Sequence, residues 1–189
     1  MAVTQATLLV AQVDDAQTLF RDLGDSKAFP VASRFYEQIG ILAKDYGGSL
    51  IKIFGGLAIA GFERPGQAVE AAFALQAALD KDVVTAGLRC RIAVHRGPMM
   101  ALTQAGRLDY FGQNVELALA VAAATPPLVI GITQAVCQDV GVAERLQTTP
   151  DQLGMQPLAG GSWVLHVRSR RAEARALPPV TDTGATIVQ

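Results

Sequence analysis

Charge is scarce in this chain. Asp, Glu, Lys and Arg make up 17% of its 189 residues and nearly cancel to a net charge of −1, whereas a soluble domain averages about 25% charged residues. A nucleic-acid-binding surface needs clustered excess Lys and Arg, so no nucleic-acid partner is expected. Long hydrophobic runs are lacking as well. The longest candidate, Leu117 to Ile132, is interrupted by Thr125-Pro126-Pro127 and falls short of the roughly 20 apolar residues of a membrane span. The start, Met1-Ala2-Val3-Thr4-Gln5, has no basic segment ahead of an apolar one, so no secretory signal and a cytoplasmic location are expected. Cysteine is limited to Cys90 and Cys137, which lie in apolar stretches without metal-ligand spacing. Both read as reduced core thiols rather than as a disulfide or a nucleophile. His95 and His166 fall on predicted strands without spaced ligand partners, which points to structural or surface roles.

Apolar residues, at 50% of the sequence, are plentiful. One substantial core fits this length, so one domain is expected over residues 1–167, followed by a polar, Pro- and Gly-punctuated tail or linker over 168–189. The short basic cluster in that tail, Arg168 to Arg175, reads as a solvated run. Thr7 to Val13 suits a buried strand. Pro30 is expected to open a helix lined by Val31, Phe35, Ile39 and Leu42. Gly55-Gly56 between β-rich flanks marks a hairpin of Leu50 to Phe54 with Leu57 to Phe62, and not a phosphate-cradling loop, because no helix follows it. Gln67 to Leu79 reads as a helix packed closely on a sheet. A strand over Leu88 to Val94 is expected to turn at Gly97-Pro98 into Met99 to Leu102, with Met99 and Met100 in core or interface. A loop over Gly106 to Gly112, a helix over Gln113 to Ala124, a strand over Leu128 to Ile132 and a hairpin across Gly160-Gly161 complete the order.

Five of these stretches carry a family resemblance. Thr7 to Val13 resembles an opening strand that reads TVLFADI, and Tyr46 to Phe62 resembles a hairpin that reads hGGxhhKxxGDxhhhxF. Gln67 to Leu79 resembles a helix that reads AVRAALALQRAL, Leu88 to Pro98 the strand LRVRIGVHTGP, and Arg107 to Ala118 the loop and helix RxDYFGxxVNxAxR. In this order and spacing they identify the chain as similar to the catalytic domain of class III adenylate and guanylate cyclases. The Asp109-Tyr110-Phe111-Gly112 segment favours this family over the related diguanylate cyclases with their own double-glycine turn. The resemblance implies an α+β fold: a ferredoxin-like βαββαβ core with extensions, an antiparallel sheet and helices mainly on one face.

The same resemblance implies a particular chemistry. Class III cyclases hold two divalent ions between two aspartates, and use an Asn and an Arg to orient the ribose and neutralise developing phosphate charge. In this sequence the aspartate positions hold Gln12 and Gly56, the Asn position Glu116 and the Arg position Ala120. Gln is a weak neutral ligand for a hard cation and Gly offers no side chain. Loss of one stabilising group typically costs about 10²–10³ in rate, so four replacements imply a degenerate catalyst. Lys52 and Asp109 match the pair that reads adenine in adenylate cyclases; the alternative is a simple ion pair at a dimer interface. The expected function is a signalling or regulatory module, with or without adenine-nucleotide binding. Two alternatives remain open. One is a weak or divergent adenylate cyclase that uses Asp14 or Asp15 together with Glu116 as replacement ligands and then needs Mg or Mn. The other is a purely structural dimerisation domain. No cofactor is expected otherwise, and the expected partners are a second copy or another cyclase domain, and ATP.

Overall fold

The computed structural model describes residues 2–104, 106–148 and 152–168. The tail expected over 168–189 lies outside the described residues apart from Arg168. The chain runs β1 (Ala2–Val13), α1 (Ala16–Leu23), α2 (Asp25–Asp45), β2 (Ser49–Phe54), β3 (Leu57–Phe62), α3 (Pro65–Lys81), β4 (Cys90–Gln104), β5 (Arg107–Phe111), α4 (Gln113–Ala124), β6 (Ile130–Thr133), α5 (Gln134–Cys137), α6 (Val140–Gln147), β7 (Gln152–Pro157) and β8 (Trp163–Val167). The sheet order is β2-β3-β1-β4-β6-β8-β7, with β5 added to the far half of β4. Its first four strands are antiparallel neighbours, which gives the expected βαββαβ core. The β4–β6 pair is parallel.

Both faces of the central strand are covered, which explains its unbroken apolar run. Leu9, Ala11 and Val13 of β1 face a core shared with α2, α3 and α6, built around Phe35, Ile39 and Leu75. Ala6, Leu8 and Val10 face a second core under α4, with Val115, Ala118, Val121 and Ala122. Most helices therefore lie on one face and α4 on the other. Alanines on α3 at positions 68, 71 and 72 are fully buried, and their small side chains let that helix sit close to the strands. Phe35 is wholly enclosed, so its truncation to Ala is worth about 3–5 kcal/mol.

Four expectations from the sequence need correction. Pro30 does not open its helix, which starts five residues earlier at Asp25, after a Gly24 with φ of 70° that separates α2 from α1. Gly97-Pro98 does not turn. β4 runs straight through it, paired with β1 from Cys90 to Ala101 without a register shift. The Pro98 carbonyl accepts from Asn114 Nδ2 at 2.8 Å, so the ring nitrogen points the same way, away from β1. There the strand borders the gap between β6, paired at 92–94, and β5, paired from 100 onward, and the missing N–H breaks no ladder. The expected loop over Gly106 to Gly112 is mostly β5, and the strand expected from Leu128 begins at Ile130. Leu128 itself adopts φ of 63° after the two prolines.

Candidate functional site

A β-bulge decides where Lys52 points. Leu50 pairs with Ala60, Lys52 pairs with Ile59, and Ile51 is the extra residue between them. Regular alternation would put Lys52 on the same face as Leu50, which packs with the α2–α3 core; the bulge moves it to the face of Ile59, under α4. On that face β5 folds back across the sheet. Tyr110 rests over Gly61, where a Cβ would come within 3.0 Å of its ring, so a larger residue at 61 would lift β5 away. Asp109 thereby meets Lys52, Nζ to Oδ2 at 2.8 Å, with the two side chains 44% and 29% exposed. Asp109 Oδ1 also accepts from the Tyr110 backbone N–H at 2.9 Å, and the Lys52 ammonium lies 5.6 Å from the Phe111 ring centroid.

Gln12 lies on the same face, in the cross-strand row Phe54–Leu57–Gln12–Arg91, one row nearer the β2–β3 turn than the Lys52–Ile59–Val10 row. The turn closes against the end of β1, where the Val13 N–H donates to the Gly56 carbonyl at 2.8 Å. Gly56 is closed where a side chain would stand. Its N–H donates to the Tyr36 hydroxyl at 2.8 Å, its φ is +85°, and a Cβ would stand 2.5 Å from the Cβ of Ala16. Gly55 shares the left-handed conformation, φ +52°, but a Cβ there would meet open space.

The acidic residues beyond β1 have structural partners. Asp14 accepts from Arg89 Nε at 3.2 Å and from Arg91 Nε at 3.1 Å, while Arg91 Nη1 donates to the Ala123 carbonyl at 2.7 Å and so ties the end of α4 to β1. Asp15 caps α1, accepting from the Thr18 N–H at 3.1 Å and from the Thr18 hydroxyl. Those two bonds hold its carboxyl below the usual Asp range. Glu116 and Ala120 are exposed, one turn apart on α4. Glu116 lies in the first turn of that helix, where a carboxylate complements the positive end of the dipole. Among the described residues no three His, Cys, Asp or Glu side chains are placed to hold a metal ion together. Gln12, Gly56 and the engaged Asp14 and Asp15 do not fit a metal pair.

His95 has a structural setting, as its strand position suggested. It is buried, with Nδ1 3.0 Å from the Thr133 hydroxyl and Nε2 3.0 Å from Asn114 Oδ1. Burial lowers its pKa, with the Asn114 bond acting against the shift. Burial raises the Cys90 thiol to about 12 and the Cys137 thiol to about 11, and neither forms a disulfide. Met99 is core and Met100 is partly exposed. Sequence inspection missed Tyr36, Ala16 and Asn114. Tyr36 follows Ala32 at helical spacing and looks like one more core residue; nothing local marks it as the acceptor for a turn twenty residues on.

No protein-family model matches this sequence, and no curated protein matches it by sequence. Solved structures do match. An adenylate cyclase from Trypanosoma brucei in its monomeric state superposes with a TM-score of 0.75 at 17% identity, over 86% of this chain and 89% of that one. The dimeric guanylyl cyclase domain of the RhoGC fusion protein from Blastocladiella emersonii gives 0.72 at 12% identity, over 88% and 98%. The chain has the class III nucleotide cyclase fold. The adenylyl cyclase CyaB from P. aeruginosa, at 0.67 and 16% identity over 90% and 98%, shares this cyclase fold along its whole length. At these identities the likeness concerns the fold, and the cyclase fold does not by itself carry the cyclase reaction. Among the described residues no helix is long and apolar enough to cross a membrane.

Proposed function

We propose that this domain is a degenerate cyclase: a cytoplasmic signalling or regulatory module that pairs with a second copy or another cyclase domain and does not cyclise nucleotides. The observation that carries this reading is Gly56. At the position of a metal-holding aspartate the turn has no side chain, a left-handed backbone, and Ala16 where a Cβ would go. The divergent-cyclase reading needs Asp14 or Asp15 to gather with Glu116 around metal. Asp14 is engaged by two arginines, Asp15 caps a helix and Glu116 stands exposed on α4.

Adenine is the ligand that the surviving groups suit. An ammonium beside a carboxylate offers a donor and an acceptor side by side, complementary to adenine N1 and its exocyclic amine, whereas guanine presents an acceptor oxygen in place of the amine. The Lys52–Asp109 pair is part-exposed, so opening it for a base costs at most about 1 kcal/mol. That the pair is closed within one chain favours a second reading, a structural dimerisation module whose old cleft binds nothing.

Titration calorimetry with ATP and GTP, with and without manganese, separates the readings. The nucleotide-binding module binds ATP in preference to GTP without metal, and Lys52→Ala weakens ATP about tenfold or more. No heat with either nucleotide leaves the structural reading.

A further inference from the structure

Beside the turn that lacks the metal aspartate, the helices leave a cavity of about 520 Å³. Helix α1 contributes Gln17 and Phe20, α2 contributes Phe29, Ser33 and Tyr36, and the floor is the backbone of Gly55 and Gly56. Its size falls in the range of about 300–1,000 Å³ that holds small molecules. The apolar residues around it are not fully used by the fold. No residue of α1 is buried, and Phe29 is 67% exposed.

The lining contains no Asp, Glu, Lys, Arg or His side chain. A charged ligand would lose hydration there without a counter-charge, so a polyphosphate does not fit and an uncharged molecule does. Three aromatic rings border the space and favour an aromatic occupant by stacked or edge-to-face contact. One polar group remains to be met. The Tyr36 hydroxyl accepts the Gly56 N–H, but its own hydrogen has no acceptor among the described residues.

We infer that this cavity is a binding site for a small uncharged aromatic carbonyl compound, whose carbonyl oxygen accepts from Tyr36. The site is separate from Lys52 and Asp109 and independent of whether nucleotide binds there.

The test is a titration of the full chain with prodan, an uncharged naphthalene ketone whose emission moves to the blue on leaving water. The expected result is a saturable blue shift with one site per chain. Ser33 and Gln17 are exposed at the rim, so Ser33→Trp or Gln17→Trp fills the cavity without disturbing the core and is expected to weaken prodan about tenfold or more. Ile41→Trp, on an exposed part of α2 outside the cavity, is expected to leave it unchanged. Tyr36→Phe is expected to weaken it about three- to tenfold. No saturable shift up to about 100 µM prodan, or equal binding by Ser33→Trp and Gln17→Trp, overturns the assignment. So does a change of sedimentation in Ser33→Trp without prodan binding to the parent chain, because the occupant is then another copy of the protein.

Discussion

Restoring the missing carboxylate by Gly56→Asp is expected to damage the fold rather than to build a metal site. Two costs combine. The φ of +85° places a non-glycine residue in the left-handed region at about 1–2 kcal/mol, at the low end for Asp, which enters that region more readily than most. The new Cβ would also meet Ala16 Cβ at 2.5 Å, and forcing extra atoms into a closed site costs about 1–3 kcal/mol. The sum, about 2–5 kcal/mol, is a large share of the 5–15 kcal/mol that holds a typical domain together. Urea unfolding followed by circular dichroism reads it as a lower midpoint with an unchanged slope. Two companions divide the terms. Gly55→Asp bears the backbone cost alone, since its Cβ meets nothing, and should lose only about 1–2 kcal/mol. Ala16→Gly introduced into Gly56→Asp removes the contact and should recover part of the loss. A Gly56→Asp chain as stable as the parent, or one that Ala16→Gly does not help, refutes the reasoning.

Stability should also depend on pH through His95. Its folded pKa lies below the ordinary value of about 6.5, so the unfolded chain binds more protons between the two values. Stability is full above about pH 6.5 and falls as pH drops toward the folded pKa. His166 is shifted the same way by burial and adds to the slope. His95→Gln should flatten the decline in unfolding free energy below pH 6.5, and an unchanged slope would contradict the assignment. Asp14→Asn removes the charge that Arg89 and Arg91 share and should cost about 1–2 kcal/mol in the same urea assay, below the full value of a charged hydrogen bond because the arginines are part-exposed. No loss would mean that the cluster does not brace β1 against α4.

Much of the fold was legible because its signals are local. The double glycine between β-rich flanks gave the β2–β3 hairpin, the Ala-rich stretch gave α3, and the apolar run of β1 gave a strand covered on both sides. Gly97-Pro98 misled because its turn chemistry is overridden by twelve residues of β1 pairing alongside, which no local window contains. Helix α1 has a capping pair, Asp15 and Thr18, but is only eight residues long and has no fully buried residue, with Ala16 and Leu19 only partly covered by the core. In the site, the retention of Lys52 and Asp109 could be read from motif positions. Their contact could not, because it depends on a bulge at Ile51 and on Gly61 yielding room for Tyr110. The closure of Gly56 was equally hidden, since Tyr36 and Ala16 reach it from other elements.

The most direct measurement is cyclic nucleotide production by the purified chain supplied with ATP or GTP and manganese. No cyclic AMP or cyclic GMP is expected above a heat-unfolded control. Manganese-dependent cyclic product that is lost in Asp14→Asn or Asp15→Asn would contradict that expectation, because those carboxylates would then be holding metal instead of bracing arginines and capping a helix.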